Sequence, residues 1–219
     1  MNFVRLRVPP DNSCLFTAVD CLLNSGIFRG NAADNMRTMC IEKIKGDPQR
    51  YTDLYLGQDV NEYCDWLKLC TSWGGEVEIL ILSELNNIQI SVLQMETLST
   101  LTYSPPNVTG NVLRIFLLYT GQHYDALMDE QNKKYVFELD DIEMVEMLAL
   151  TCAESYKTAW DEELRTRKRK RIRCLGCKAI LNNAQQFQEH CGTVEHSDDF
   201  AYDCEDIEVL EYVNNITDD

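Results

Sequence analysis

A polar turn leads into an apolar helix at Val8-Pro9-Pro10-Asp11-Asn12-Ser13-Cys14-Leu15-Phe16. The residues before this turn, 3–8, alternate like a strand, and from Ser13 the apolar residues recur at helical spacing as far as Asn24. Cys14 therefore stands at the start of a helix. Unpaired backbone N–H groups and the helix dipole favour a thiolate at that position, which is typical of a reactive cysteine.

The pattern of apolar residues changes along the rest of the chain. Helical spacing predominates up to about residue 85, and short apolar, β-branched segments typical of strands follow it. Helices first and short strands afterwards predict an α+β fold in which a small central sheet is flanked by helices. The predicted helices cover residues 33–44, 60–69, 76–85 and 138–172, and the predicted strands cover residues 88–93, 112–119 and 124–127.

A histidine that can serve as a general base lies in Gly121-Gln122-His123-Tyr124-Asp125. The chain has three histidines, and the other two belong to a C-terminal metal-binding pattern, which leaves His123 for this role. On a strand, Asp125 shares the face of His123. The imidazole can take the proton of Cys14 while the carboxylate holds the useful tautomer, and this combination predicts a cysteine hydrolase.

Asp11, three residues before Cys14, has two interpretations. It can cap the helix, in which case it has no chemical role. Alternatively it lines the site and places the backbone N–H groups of residues 11–14 to bind a developing oxyanion. The sequence does not decide between these two roles.

Three segments occur in a specific order: Pro10-Asp11-Asn12-Ser13-Cys14-Leu15-Phe16, Trp73-Gly74-Gly75-Glu76-Val77-Glu78-Ile79 and Gly121-Gln122-His123-Tyr124-Asp125-Ala126-Leu127. They resemble the signature segments of the ovarian-tumour (OTU) deubiquitinases in order and spacing, over about residues 5–155. The resemblance implies a papain-like cysteine protease fold for a catalytic domain of residues 1–155. It also implies a thiol isopeptidase whose partners are ubiquitin and polyubiquitin.

The resemblance further implies roles for individual residues. Cys14 would be the nucleophile and His123 the base, with Asp11 as an acid of the catalytic site and Asp125 as the group that orients the histidine. The segment 73–79 would lie near bound ubiquitin, whose Gly-Gly tail needs a narrow channel with small or aromatic walls; simple entry into a helix is the other interpretation of this turn. The substrate-binding candidates are Trp73, Gly74, Gly75, Gly121, Gln122 and Tyr124.

A metal-binding pattern occupies the C-terminal part of the chain. Cys174 and Cys177 are followed after twelve residues by His190 and after five more by His196, the two-Cys, two-His spacing of a zinc site. So short a segment has little core, and one structural Zn²⁺ would stabilise it. We expect a zinc finger over residues 174–196, a basic helical linker over 156–173 and an acidic tail over 197–219.

The zinc finger leaves a second function open, that of a catalytically silent adaptor binding ubiquitin or nucleic acid. A net charge of −16 argues against nucleic acid, which requires a basic surface, and a single finger rarely holds DNA specifically. The basic run of residues 165–173 is the feature in favour of it, although such a run is usually solvated surface. The presence of Cys14, His123 and Asp125 together favours the enzyme.

Within the OTU family, a single C-terminal finger of this kind marks the branch that works with the AAA segregase valosin-containing protein in ER-associated degradation. The resemblance therefore implies the segregase as a partner and a place in the unfolded protein response. The N-terminal UBX-like domain with which that branch docks on the segregase is not in this sequence. We see no secretory signal and no membrane-spanning run, and we expect a location in the cytoplasm, with the nucleus as a second option.

Overall fold

The structure is a computed structural model that divides the chain into two compact units, residues 1–157 and 158–219. It describes residues 1–106, 112–166, 168–174, 177–181, 186–187, 189–190 and 204–210, of which 163–166, 168–171 and 204–210 are described by their backbone alone. Across these residues, no helix combines the length and the apolar character needed to cross a membrane.

The first unit follows the predicted order of helices and then strands. Its helices are α1 (Cys14–Leu23), α2 (Ala32–Gly46), α3 (Asp53–Leu56), α4 (Val60–Leu67), α5 (Glu76–Asn86) and the long α6 (Ile142–Thr166), which continues into the second unit. Its strands are β1 (Phe3–Leu6), β2 (Ile88–Gln94), β3 (Ser99–Tyr103), β4 (Leu113–Tyr119), β5 (Tyr124–Asp129) and β6 (Phe137–Glu138). The α+β class is confirmed.

These strands form one mixed sheet in the order β1-β5-β4-β2-β3, with β6 paired to β4. Strands β2 and β4 run parallel, and the other pairs are antiparallel. In β4, Ile115 and Leu117 belong to the core beneath α1, α2, α4 and α5, whereas Phe116 and Leu118 belong to a second core beneath α6. Because helices cover both faces of the sheet, the sequence of β4 is a continuous apolar run without alternation from Ile115 to Leu118.

The sheet sets the positions of the two segments that the sequence singles out. Strand β1 pairs with β5, so the turn that follows β1 and the loop that precedes β5 meet at the same end of the sheet. Helix α1 packs against β4 and β5, and its first residue is Cys14. Tyr119 pairs with Tyr124 across a four-residue loop that contains His123.

Three short elements of the first unit were not predicted: α3, β3 and the two-residue β6. Strand β3 is an edge strand whose residues are mostly exposed, so it lacks the alternating apolar pattern that identifies a half-buried strand. Helix α3 has four residues, none of them buried, and is set by local contacts: Thr52 accepts the backbone N–H of Tyr55, and Gly57 takes a left-handed conformation after the helix.

The second unit differs from the expected helical linker. Helix α6 ends at Thr166, and the basic run continues as strand β7 (Lys168–Cys174), which pairs with β8 (Ile180–Leu181) and β9 (Cys204–Leu210). In a helix, the seven basic residues of 165–173 would stack like charges three and four positions apart. The register with β9 instead places Lys170 opposite Glu208 and Arg173 opposite Glu205, which favours the strand. Part of the expected acidic tail is thus a strand.

Candidate active site

Cys14 opens α1 and its side chain is only 8% exposed. This burial raises the pKa of the thiol above its ordinary value, and the charges of Asp11 and Asp125 act in the same direction. Interactions with the backbone N–H groups of Tyr124 and Leu15 oppose the increase in pKa but do not cancel it. The sequence-based expectation of a readily ionised thiol therefore does not hold in this state, because desolvation outweighs the effect of the helix N-terminus.

His123 lies in the loop between β4 and β5, with its Nε2 3.3 Å from Oδ1 of Asp125. Asp125 is fully buried, accepts the backbone N–H of Val8 at 2.7 Å, and has its second oxygen 2.7 Å from Nε of Arg5. The geometry of the Arg5 contact is not that of a directed hydrogen bond, so the interaction is Coulombic. The imidazole is thus held by a carboxylate that is itself held from two sides.

The sulfur of Cys14 interacts with the backbone N–H of Tyr124, the residue after His123. The nucleophile therefore lies next to the loop of His123. Between these two described side chains, the structure contains no hydrogen bond from Cys14 to His123. A thiol that is buried and not hydrogen-bonded to a base stays protonated. The imidazole must therefore form a hydrogen bond with the thiol before it can remove the proton.

Asp11 does not cap α1, and its carboxylate bonds instead to the turn that precedes the nucleophile. Its Oδ1 accepts the backbone N–H of Ser13 at 2.9 Å, within the turn, while Ser13 itself occupies the helix-cap position without a side-chain capping bond. The carboxylate therefore shapes the turn that precedes Cys14. A part for Asp11 in catalysis stays a prediction.

A cleft of about 310 Å³ brings together segments that are far apart in sequence. It joins the turn before Cys14 (residues 9–13, called here the nucleophile turn), the loop before α5 and the loop that carries His123. Its lining residues are Asn12, Cys14, Trp66, Trp73, Gly74, Gly75, Tyr119, Gln122 and Tyr124. Five of the six substrate-binding candidates are thus in the lining, together with Cys14. The lining does not include four other predicted site residues that the structure describes, namely Asp11, Gly121, His123 and Asp125.

The two glycines of the cleft have different surroundings. A Cβ on Gly74 would lie 2.7 Å from Cδ2 of Leu15 and 2.9 Å from the ring of Phe16, so its backbone packs directly on the first turn of α1. A Cβ on Gly75 would meet no atom within 4 Å, so this side of the cleft is open. Trp73 closes the rim by donating its indole N–H to Oδ1 of Asn12 at 2.6 Å.

Two buried charged residues under the cleft were missed by the sequence analysis. Arg37 is 1% exposed and bonds to the turns on both sides of the cleft. Glu78, equally buried, accepts the backbone N–H of Gly75 at 2.8 Å and the hydroxyl of Tyr63 at 2.5 Å. Burial raises the pKa of Glu78 and lowers that of Arg37. The available signal was the position of Arg37 on the apolar face of α2, one turn before Cys40.

The second unit contains a cluster of metal-binding side chains. Cys174 ends β7, and its backbone carbonyl accepts the N–H of Lys178, the residue after Cys177, at 2.8 Å. The ligand atoms of Cys174, Cys177 and His190 all lie within 4.8 Å of one another, with Cys177 Sγ 3.2 Å from His190 Nε2. Two thiolates and an imidazole at such distances suit a tetrahedral Zn²⁺. His196 lies outside the described residues.

Comparison with known proteins agrees with this fold. The model of the OTU-like cysteine protease family matches residues 9–124. Ubiquitin thioesterase OTU1 of Homo sapiens is 32% identical over 204 residues, covering 88% of this chain and 56% of that protein. The Ubiquitin thioesterase Otu1 of Drosophila melanogaster is 34% identical over 196 residues, covering 86% and 54%. A solved OTU domain in complex with ubiquitin has a TM-score of 0.63 at 26% identity, covering 72% of this chain and 88% of that one.

A helix-borne cysteine in a cleft beside a histidine–aspartate loop is the arrangement of a cysteine protease. The chain belongs to the OTU-like cysteine protease family, whose model matches more than half of its length. The chain spans about half the length of the two curated relatives given above.

Proposed function

We propose that this chain is a deubiquitinase that hydrolyses the amide bond after the C-terminal glycine of ubiquitin, in conjugates or between ubiquitins. The observation that carries the proposal is the cleft lined by Cys14, Gly74, Gly75 and Tyr124, next to the loop of His123 and to Asp125 on β5. The names of the human and fly relatives, and the solved OTU domain bound to ubiquitin, support ubiquitin as the substrate.

The residues present account for each proton transfer. His123 takes the proton of the Cys14 thiol, and the sulfur attacks the carbonyl carbon of the terminal glycine to form a tetrahedral intermediate. The C–N bond breaks as His123 passes its proton to the departing lysine amine, which leaves a thioester on Cys14. Water, deprotonated by His123, then cleaves the thioester and returns the thiol. Asp125 holds the imidazole while it is positively charged.

The buried thiol suits a substrate that excludes water as it binds. Entry of an extended Gly-Gly tail past Trp73 and Gly75 would fill the open side of the cleft and close it to solvent. Electrostatic attraction between an imidazolium and a thiolate is stronger once water has been excluded. Proton transfer from Cys14 to His123 is then expected in the substrate complex rather than in the free protein.

Hydrolysis by the wild type and by Cys14→Ala tests the proposal directly. The substrates are ubiquitin carrying a C-terminal fluorogenic amide and isopeptide-linked di-ubiquitin. We expect the wild type to release the fluorophore and free ubiquitin, and Cys14→Ala to do neither while it keeps the thermal unfolding midpoint of the wild type within a few degrees. A wild type without activity, or a Cys14→Ala variant with activity, would overturn the proposal.

We also propose that the cluster of the second unit holds one structural Zn²⁺. Cys174, Cys177 and His190 would supply three ligands, and His196 would supply the fourth, according to the spacing of the sequence. Bound zinc would stabilise a segment with little apolar core of its own. Association with the AAA segregase stays a prediction of the family resemblance, and binding to that protein in solution would test it.

A further inference from the structure

We infer that Arg37 is a positioning residue that orients the Asn12–Ser13 peptide, in the turn before Cys14, for the stabilisation of the oxyanion. This inference rests on the proposed function. The side chain of Arg37 enters from α2, is buried beneath the cleft, and does not line the cavity. It therefore acts on the substrate only through the residues that it holds.

The guanidinium of Arg37 joins the two walls of the cleft. Its Nη2 donates to the carbonyl of Asn12 at 3.2 Å and to the hydroxyl of Ser13 at 3.1 Å, on the nucleophile turn. It also donates to the carbonyl of Ser72 at 2.6 Å, and Nη1 donates to the carbonyl of Leu67 at 3.0 Å, both before α5. A rigid, planar fork can satisfy several oxygens at once, which the single ammonium of a lysine cannot do in the same geometry.

The peptide bond between Asn12 and Ser13 is held from both sides. Its carbonyl accepts from the buried Arg37, and its N–H donates to the carboxylate of Asp11 at 2.9 Å. A cation at the carbonyl and an anion at the N–H polarise the same amide in the same direction, and each strengthens the other hydrogen bond. The plane of this peptide is therefore fixed, and only the φ and ψ of Ser13, −108° and 7°, separate it from the backbone N–H of Cys14.

Of the backbone N–H groups of residues 11–14, those of Asp11 and Ser13 donate within the turn, to the carbonyl of Pro9 at 2.8 Å and to Oδ1 of Asp11 at 2.9 Å. We therefore assign the oxyanion to the backbone N–H groups of Asn12 and Cys14, next to the attacking sulfur. Fixed donors at such a position lower the barrier because they need no reorganisation as the charge appears. Loss of the Arg37 contacts would leave this turn free to adopt other orientations. The chemical step then slows, whereas the binding of the ubiquitin body does not change.

Two ubiquitin reagents separate this role from a general loss of structure. Hydrolysis of a C-terminal fluorogenic amide passes through an oxyanion. Alkylation of Cys14 by ubiquitin with a C-terminal bromoethyl amide forms a thioether by displacement of bromide, with no oxyanion. A variant that only misplaces the oxyanion donors slows the first reaction and spares the second.

The variants are Arg37→Lys and Arg50→Lys. Arg50 is the matched control, because it is a partly buried arginine paired with Glu84 and is not among the residues that line the cleft. We expect Arg37→Lys to lower kcat by about tenfold or more, since donor misplacement is costly, with KM and alkylation within about threefold of wild type. Arg50→Lys should match the wild type in both reactions.

An unchanged kcat in folded Arg37→Lys, or an equal loss of hydrolysis and alkylation, would overturn the inference. If Arg37→Lys does not fold, the Ser13→Ala variant provides the test, since it removes only one buried acceptor of Arg37 in the same turn. It should show the same split with a smaller loss of kcat, about threefold or more, and an unchanged kcat would contradict the inference. Wild-type hydrolysis in the same assay keeps this result distinct from failure of the proposed function.

Discussion

Oδ1 of Asp125 lies 3.3 Å from Nε2 of His123, and the same oxygen accepts the backbone N–H of Val8 at 2.7 Å. The histidine loop is thereby fixed to the chain segment that leads into the nucleophile turn. One buried carboxylate connects the two sequence segments that are to act together.

Replacement of Asp125 by asparagine should therefore impair chemistry beyond its effect on stability. Asparagine keeps an acceptor for Val8 but removes the charge that faces Arg5 and the imidazole. We expect kcat to fall by at least about tenfold, since a general base contributes 10²–10⁴-fold when it is properly oriented. Steady-state kinetics on ubiquitin amide, with the folded fraction measured by circular dichroism, provide the test.

Asp129→Asn is the matched control for this variant. Asp129 lies on the same strand, is also fully buried and accepts the backbone N–H of Asn2 at 2.8 Å, but it is four residues further along β5. It should lose stability without a specific loss of kcat. If both variants lose activity only in proportion to their unfolded fraction, Asp125 has no orienting role.

The two glycines of the cleft should respond in opposite ways to substitution. Gly75 has an extended backbone, φ −140°, and open space beside it, so Gly75→Leu should fold normally and obstruct the tail channel. We expect KM to rise by about tenfold or more, with kcat less affected, since one badly placed side chain costs a few kcal/mol of binding. Kinetics on ubiquitin amide measure both constants.

Gly74→Ala should instead destabilise the fold. Its methyl group would collide with Leu15 and Phe16 on the first turn of α1, and overpacking of this kind costs about 1–3 kcal/mol. Thermal or urea unfolding measures this loss of free energy. A stable Gly74→Ala together with a destabilised Gly75→Leu would contradict the assignment of the two environments.

The pH dependence of thiol reactivity follows from the burial of Cys14. The pKa of this thiol is raised above its ordinary value of 9.0, so the reactive thiolate is the minor form throughout the neutral range. Alkylation of Cys14 in the free protein by iodoacetamide should rise about tenfold per pH unit from pH 6 to 8 and reach no plateau below pH 9. Cys14→Ala gives the background from exposed thiols such as Cys70 and Cys177. A plateau that begins below pH 7 would show a preformed thiolate and contradict this account.

Metal content tests the cluster of the second unit. Elemental analysis of the full chain should find about one zinc per chain, and Cys177→Ser should lose most of it, since a structural site needs all four of its ligands. His196→Ala should lose zinc to a similar extent if His196 is the fourth ligand. Full retention of zinc by Cys177→Ser would exclude the cluster as the site, whereas retention by His196→Ala alone would mean that another residue completes it.

The elements around the site were accessible to sequence reasoning because their local signals are strong. The apolar spacing after Ser13 and the β-branched runs around residues 88–93 and 112–119 correspond to α1, β2 and β4. The prediction of a helix over residues 138–172 was wrong at its end, because the basic residues there pair with a strand that lies 32 to 42 positions further along the chain. A pattern read along the chain does not contain that distant partner.

The chemistry of the site was likewise predicted only in part from the sequence. The cleft unites Cys14 with Trp73, Gly74 and Gly75, as the motifs indicated. The raised pKa of the thiol and the bonds of Arg37 depend on burial and on contacts across more than twenty residues, which the sequence does not reveal. Residue types and spacing predict which groups are present, whereas their protonation and support follow from packing.

The most direct test of the central claim is mass spectrometry of the protein after reaction with ubiquitin bearing a C-terminal vinyl ester electrophile, for the wild type and for His123→Gln. We predict a covalent adduct of one ubiquitin per chain, mapped to Cys14 by peptide sequencing, with a rate of formation that falls by at least about tenfold in His123→Gln. An adduct on another cysteine, or the same rate of labelling at Cys14 in both proteins, would show that this sulfur and this imidazole do not act together.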